Sequence, residues 1–372
     1  MVELGGLNDK PKTTITQVSA KIDMRLGGPS SVIQGVVPYL VNNFAHTLLV
    51  FGESEFQSDE QIIYPTICNN RYGLFFSSNS HIAREKIRTC EILLIHGFYL
   101  FSTLFAIFFS TTSKIFVMPH GSLEPYQEAK GIIRKSFFKR IIKIGLRGRK
   151  LRFLVGSSQE KINILELFPD CRVDVVGIGI SDEIVSPNLE TKQLRDVINL
   201  ICYSRITFKK RIDLCIRALA ELERQGHNCF LRIVGTGEEK LTKELISLGQ
   251  SLGVSSRIIY EGFVQSGEKT RSIFKSADIF LLPSENENFA VAVAESIGYG
   301  IPVIVSKNVA MHDFVDKFKT GLTISDLSAK KLAEAILEVR SKYNFFRENC
   351  NQSRHLLGWD SVSKTWIENL QS

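Results

Sequence analysis

Across its 372 residues the sequence has no Cys-x-x-Cys pair, no Asp-x-Asp element, no low-complexity tract and no internal repeat. Each absence removes a class of protein. Seven cysteines, an odd number without close pairing, argue against a disulfide scaffold and for reduced, mostly buried thiols. Without a repeat, solenoids and propellers drop out. No motif that reads DNA or RNA occurs, so no nucleic-acid partner is expected; the net charge of +7 suits an anionic ligand or surface. The opening MVELGGLNDK carries acidic residues and no apolar core, so it does not read as a secretory signal, and a cytoplasmic setting is expected.

Long uncharged runs are also scarce. The stretch from Ile92 to Ser110 is one, near the minimum spanning length of about 18 residues. His96-Gly97 interrupts it, which favours a buried strand, a loop and a buried helix over a membrane span.

What is present is a globular composition, 44% hydrophobic and 23% charged, in a chain long enough for two domains of about 150–200 residues. From Thr14, TITQVSA reads as a strand, followed by a Gly27-Gly28-Pro29-Ser30 loop, the helix SVIQGVVPYLVNNF and the strand HTLLVFG. ILLIHG (92–97), KIFVMPHG (114–121) and LRFLVGSS (151–158) are further short apolar runs ending in small or polar residues. After the polar join 181–196, strands VINLICYSR, FLRIVGTG, RIIYEGF, IFLLPS and PVIVS alternate with helical segments near 212–225, 238–249, 269–276, 290–299 and 328–342. Such alternation predicts an α/β fold whose parallel sheets are covered on both faces, with ligands beyond the carboxyl ends of the strands. The expected domains are 1–180, 181–353, and a last helical segment, 354–372, packing back toward the first domain.

Glu287 and Glu295 lie between the strand ending at Pro283-Ser284 and the strand opening at Pro302. A helix covering both would bring them within roughly 80° of each other. The apolar composition of AVAVA instead places Glu287 ahead of a helix packed on the sheet and Glu295 in its second turn, with free N–H groups at the helix start available to phosphate.

The string PSENENFAVAVAESIGYGIPVIVS closely resembles the donor-binding signature of the retaining, group 1 (family 4) glycosyltransferases of GT-B fold, in the form found in bacterial polysaccharide assembly. The resemblance extends along most of the chain. Ser204-Arg205-Ile206-Thr207-Phe208-Lys209-Lys210 is similar to the family's Gly-Arg-Leu…Lys element, and IVGTGEE (233–239) to its strand and glycine turn at Gly235. YEGFV (260–264) is similar to the segment, ending here at Val264, whose backbone meets the nucleotide base. Gly27 and Gly28 resemble its glycine-rich loop, and PHGSLEPY (119–126) its Pro-His-Gly segment.

The resemblance implies two Rossmann-like domains with parallel sheets facing across a cleft. It implies a UDP- or GDP-sugar donor and transfer, with retention, to a hydroxyl of a glycan or lipid-linked oligosaccharide in surface polysaccharide or lipopolysaccharide synthesis. His120, Arg205, Lys210 and Glu287 would be the catalytic group. Gly27, Gly28, Gly235, Val264, Asn288, Phe289, Ala290 and Glu295 would bind donor, with Glu287 on the sugar and Glu295 on the ribose. With no Asp-x-Asp to hold a metal, Arg205, Lys210 and a helix N-terminus would neutralise the diphosphate, and no cofactor is expected. His96 is a weaker candidate.

Four departures from the pattern stand out: Ala290 for Gly, Ser204 for Gly, Arg211 for Gly, and GIGIS (177–181) without the usual Asn-Gly. Alternatives are a non-catalytic GT-B binding subunit or another GT-B enzyme such as a sugar-nucleotide epimerase. Residues 132–152 hold nine Lys or Arg and no acid, with apolar residues at near-helical spacing. This segment reads either as a peripheral contact with an anionic membrane surface or as a partly buried helix with a solvated basic edge.

Overall fold

The computed structural model describes residues 11–22, 28–52, 61–63, 80–128, 131–185, 196–265 and 267–372. The chain divides into two compact units, Met1–Gly179 with Val362–Ser372, and Ile180–Ser361.

The first unit contains β1 (Thr14–Ser19), α1 (Gly28–Asn43), β2 (Ala45–Val50), β3 (Gln61–Ile63), α2 (Ser80–Thr89), β4 (Ile92–His96) and α3 (Phe101–Phe109). It continues through β5 (Lys114–Met118), α4 (Pro125–Glu128), α5 (Ile132–Leu146), β6 (Leu151–Val155), α6 (Ser158–Leu167) and β7 (Arg172–Val175). Its seven strands are all parallel, in the order β3-β2-β1-β4-β5-β6-β7. All five residues of β4 are buried, as a strand covered on both faces requires. The 92–110 run is thus β4 followed by the nine-residue α3, whose Ser102, Thr103, Ala106 and Ile107 are buried. No helix among the described residues is long and apolar enough to cross a membrane.

The second unit holds β8 (Ile198–Tyr203), α7 (Ile212–Arg224), β9 (Cys229–Val234), α8 (Glu239–Ser251), β10 (Ile258–Gly262), α9 (Glu268–Ser276), β11 (Ile279–Leu282) and α10 (Val291–Gly298). β12 (Val303–Ser306), α11 (His312–Phe318), β13 (Gly321–Ile324), α12 (Ala329–Ser341) and α13 (Tyr343–Ser353) complete it. Six parallel strands run β10-β9-β8-β11-β12-β13. On α7, Ile212, Cys215, Ile216, Leu219 and Leu222 recur at helical spacing and are buried, which gives the helix one face to press on the sheet.

The final helix, α14 (Trp359–Gln371), supplies most of Val362–Ser372 to the first unit. There the fully buried Trp366 donates its indole N–H to the Gly177 carbonyl at 3.2 Å.

Strand order reverses direction between β1 and β4 in one sheet and between β8 and β11 in the other. Loops leaving neighbouring strands at such a point diverge, and the crevice they leave is where open parallel sheets bind ligands.

Candidate functional site

In the second unit the loops after β8 and β11 are laced together at that reversal. The Lys209 carbonyl accepts from the Glu285 N–H at 2.7 Å and from Ser284 Oγ at 2.8 Å. The lacing brings Lys210 Nζ to 2.6 Å and Lys209 Nζ to 3.3 Å from Glu287 Oε1. Glu287 is held by its own main chain, donating to the Asn308 carbonyl and accepting from the Ala310 N–H, both at 3.0 Å. The Lys210 and Glu287 side chains are only 11% and 12% exposed, so their attraction is weakly screened. Burial pulls the Lys210 ammonium below its ordinary value, Glu287 pushes it back up, and the nearby charges of Lys209 and Arg205 add to the lowering. Arg205 itself is exposed.

Glycine is required where the β8 and β9 loops touch. Gly235 has φ +129, and a Cβ there would overlap the Ser204 carbonyl. Its N–H donates to Gly262 O at 2.7 Å, tying the β9 end to the β10 end. Val264 is buried, and its carbonyl accepts from Tyr203 Oη at 3.3 Å.

Beyond Glu287, the half-buried Asn288 and Phe289 lead to Ala290, which caps α10 at φ 68, ψ 68. An L-residue in this left-handed region costs roughly 1–2 kcal/mol. The position therefore has the backbone that suits the glycine of the family pattern, although it carries alanine. Glu295 lies in the second turn of α10, and burial pushes its carboxyl up to about 7. Its charge contributes, after burial, to raising the Tyr203 and Tyr299 hydroxyls.

Residues 190–354 match the family described as Glycosyl transferases group 1. Most of the second unit thus resembles a group 1 glycosyltransferase domain. The chain is 26% identical over 226 residues to an uncharacterized glycosyltransferase of Methanocaldococcus jannaschii, covering 57% of each chain. It is 29% identical over 159 residues to the O-antigen biosynthesis glycosyltransferase WclY of Escherichia coli, covering 41% of this chain and 42% of that one. The chain thus spans about half the length of the curated relatives it matches. HepE of Anabaena, solved in complex with UDP and glucose, superimposes with a TM-score of 0.72 at 13% identity, over 96% of this chain and 99% of that one. That likeness concerns the fold, which is GT-B.

In the second unit, then, the sequence-predicted Arg205, Lys210, Glu287 and Glu295 all fall on the loops and helix at the sheet reversal. In the first unit, Gly28 opens α1 with open space around it, and Gly27 lies outside the described residues. His120, in the loop after β5, adopts φ 54. That loop is anchored by the buried Glu160 of α6, which accepts from Gly121 N–H at 2.9 Å and Gly156 N–H at 3.1 Å. Ser157-Ser158-Gln159-Glu160 begins as a capping box, with Ser157 Oγ accepting from the Glu160 N–H at 3.2 Å.

His120 and His96 meet. His96 Nδ1 is 2.9 Å from His120 Nε2, with the ring centroids 5.1 Å apart and the ring planes 20° from parallel, an edge-to-edge arrangement. Two further residues, Gln17 and His46, extend the chain: Gln17 Nε2 lies 2.8 Å from His96 Nε2, and Gln17 Oε1 lies 2.8 Å from His46 Nε2. Sequence reasoning passed over both. The available signal was a glutamine inside the otherwise apolar-patterned TITQVSA and a histidine opening HTLLVFG. It also passed over Lys209 and Ser284, which stood inside the quoted strings without a role.

On α5, Ile133, Phe137 and Ile144 are 86%, 65% and 68% exposed, with exposed Arg134, Arg140, Lys143 and Arg147 around them. Other basic residues of 132–152 are used internally. Lys139 pairs with Glu128 at 2.7 Å, and Arg149 donates to the carbonyls of Ser110, Thr112 and Ile107 at 2.7–3.0 Å.

Proposed function

We propose that the protein is a retaining glycosyltransferase using a UDP- or GDP-sugar, and that the Lys210–Glu287 pair at the β8/β11 reversal is the centre of its donor site. That pair carries the reading: a half-neutralised, nearly buried cation beside an exposed Arg205 suits a ligand that brings negative charge and hydroxyls together. Arg205 and Lys210 would neutralise the leaving diphosphate, with the first N–H groups of α10 adding to the field. Lys210, Lys209 and Ser284 all approach Oε1 of Glu287, which leaves Oε2 to accept from a sugar hydroxyl. Glu295 would accept from the ribose, and the backbone near Val264 and Gly235 would meet the base. Gly28, Asn288, Phe289 and Ala290 would line the donor, and His120 would act at the transferred sugar.

In the reaction the bond from the anomeric carbon to the diphosphate oxygen breaks as the acceptor oxygen bonds to the same face. The acceptor's proton passes to the departing phosphate oxygen. No metal is required by this scheme, because fixed cations sit where charge develops. The relatives' printed roles, together with the resemblance, support a glycan or lipid-linked acceptor in surface polysaccharide synthesis. The α5 face of Ile133, Phe137 and Ile144 amid basic residues suits peripheral contact with an anionic membrane.

The test is a panel of UDP-, GDP- and ADP-sugars in a thermal-shift assay, followed by donor hydrolysis and transfer with and without EDTA. Stabilisation by a UDP- or GDP-sugar and turnover insensitive to EDTA are expected. Absence of any donor turnover would favour a binding subunit, and loss of turnover with EDTA would overturn the metal-free scheme.

A further inference from the structure

The side chains of His46, Gln17, His96 and His120 form one hydrogen-bonded row in the first unit, with links of 2.8, 2.8 and 2.9 Å. Gln17 is fully buried and His96 is 3% exposed, so no water competes for the contact between them, while His46 and His120 at the two ends are half-buried. A buried amide in the middle of a strand is costly unless both its ends are satisfied, and here both ends meet imidazoles.

The amide gives the row a direction. An amide nitrogen only donates and an amide oxygen only accepts. Gln17 Nε2 therefore finds a bare His96 Nε2, and Gln17 Oε1 finds a protonated His46 Nε2. Burial holds all three imidazoles well below their ordinary values, so each ring carries one proton at neutral pH. His96, bare at Nε2, carries its proton on Nδ1 and donates it to His120 Nε2. His120 must then carry its own proton on Nδ1, the nitrogen not used in the row. Rotating the Gln17 amide by half a turn would reverse every one of these assignments.

We propose that Gln17 and His96 are positioning residues that lock the His120 imidazole as its Nδ1–H tautomer, so that it presents a hydrogen-bond donor, and not a base, to an acceptor oxygen of the bound donor sugar or its phosphate. The inference rests on the transferase reading for the identity of the ligand, but not for the lock itself. Imidazole free in water prefers the Nε2–H form, so the lock holds His120 against its own preference. The row is not a proton relay, because passing a proton through the amide would require its imidic form. His120 is accordingly excluded as the group that deprotonates the acceptor, in agreement with a departing phosphate oxygen taking that proton.

The test uses the full-length protein labelled with 15N-histidine. Long-range proton–nitrogen correlation near pH 7.5 distinguishes protonated from bare ring nitrogens at each histidine. His96 and His120 are expected as Nδ1–H and His46 as Nε2–H. In Gln17→Met, His120 is expected to move toward Nε2–H, with kcat lower by about tenfold and the donor KM little changed, since one net hydrogen bond is at stake in the transition state. Should Gln17→Met fail to fold, His46→Phe removes the donor that orients the amide, and a mixture of the two tautomers at His120 is expected. A wild-type His120 protonated at Nε2, or tautomers unmoved in the folded variants, overturns the proposal. The spectra need no substrate, so failure of every sugar donor would sink the transferase reading while leaving the lock judged separately.

Discussion

Glu287 Oε1 stands 2.6 Å from Lys210 Nζ, with both side chains nearly out of water and each delivered by a loop from a different strand. Neither charge is comfortable alone in that position. The loop lacing through the Lys209 carbonyl holds them together, and an arriving diphosphate would find a cation already desolvated and aimed.

Replacing Lys210 with Ala is expected to lower turnover about 100-fold or more, the usual scale for removing one preorganised charge stabiliser. Steady-state transfer or donor hydrolysis measures it. Unchanged turnover would remove Lys210 from the mechanism.

Glu287→Ala is expected to destabilise the fold as well, by about 2–3 kcal/mol, because it leaves Lys210 buried without its partner. Urea unfolding of the single variants and of the double variant with Lys210→Met gives the answer. The double variant should recover part of the loss, and a double-variant loss equal to the sum of the two single losses would refute the coupling.

Ala290→Gly should stabilise the protein by about 1 kcal/mol, since it relieves a left-handed alanine at the cap of α10. A urea midpoint that falls in the variant would show that the alanine methyl contributes packing worth more than the strain.

Two kinds of buried group set opposing pH dependences. Glu295, raised from 4.5 to about 7, gives stability that is fully present below about pH 4.5 and is lost as pH rises through about 7. His46 and His120, lowered from 6.5 to about 4, give stability that is present above 6.5 and is lost as pH falls through about 4. His96 acts in the same direction as these two. Three histidines outweigh one glutamate, so stability should fall on acidification below pH 6.5, more steeply in Glu295→Gln and less steeply in His46→Gln. Urea unfolding at several pH values from 4.5 to 7.5 checks the order of the three slopes.

Ribose hydroxyls donating to Glu295 would favour its ionised form. Between pH 6 and pH 8 UDP affinity should therefore rise several-fold more in wild type than in Glu295→Gln, where only the terminal phosphate of UDP ionises. Calorimetric titration decides, and an identical pH profile in both proteins would take Glu295 off the nucleotide.

Replacing Ile133, Phe137 and Ile144 together with Ser should abolish flotation with phosphatidylglycerol vesicles while leaving thermal unfolding unchanged, because these side chains are already in water. Equal flotation of wild type and variant would take Ile133, Phe137 and Ile144 off the membrane.

The alternation of strands and helices, the two parallel sheets and the loops bearing Arg205, Lys210 and Glu287 were legible in the sequence. Runs such as ILLIH and IFLL are too uniformly apolar for anything but covered strands, and the turn residues that end them mark the ligand-facing edge. The short β7 and β13, and α11 between β12 and β13, escaped notice because RVDV and GLTI break their four positions with charge, threonine or glycine where IFLL is uniformly apolar. The use of the basic residues in 132–152 was equally hidden. Nothing local tells that Arg149 satisfies three carbonyls of the α3 end while Arg140 faces water.

The Lys210–Glu287 contact and the row from His46 to His120 belong wholly to tertiary structure. Both depend on which strands become neighbours, since the β1–β4 and β8–β11 pairings join residues far apart in sequence. The residue types set which hydrogen bonds are available. The register of the parallel strands decided that Gln17 would spend its amide on two histidines, and so which nitrogen His120 has left to offer.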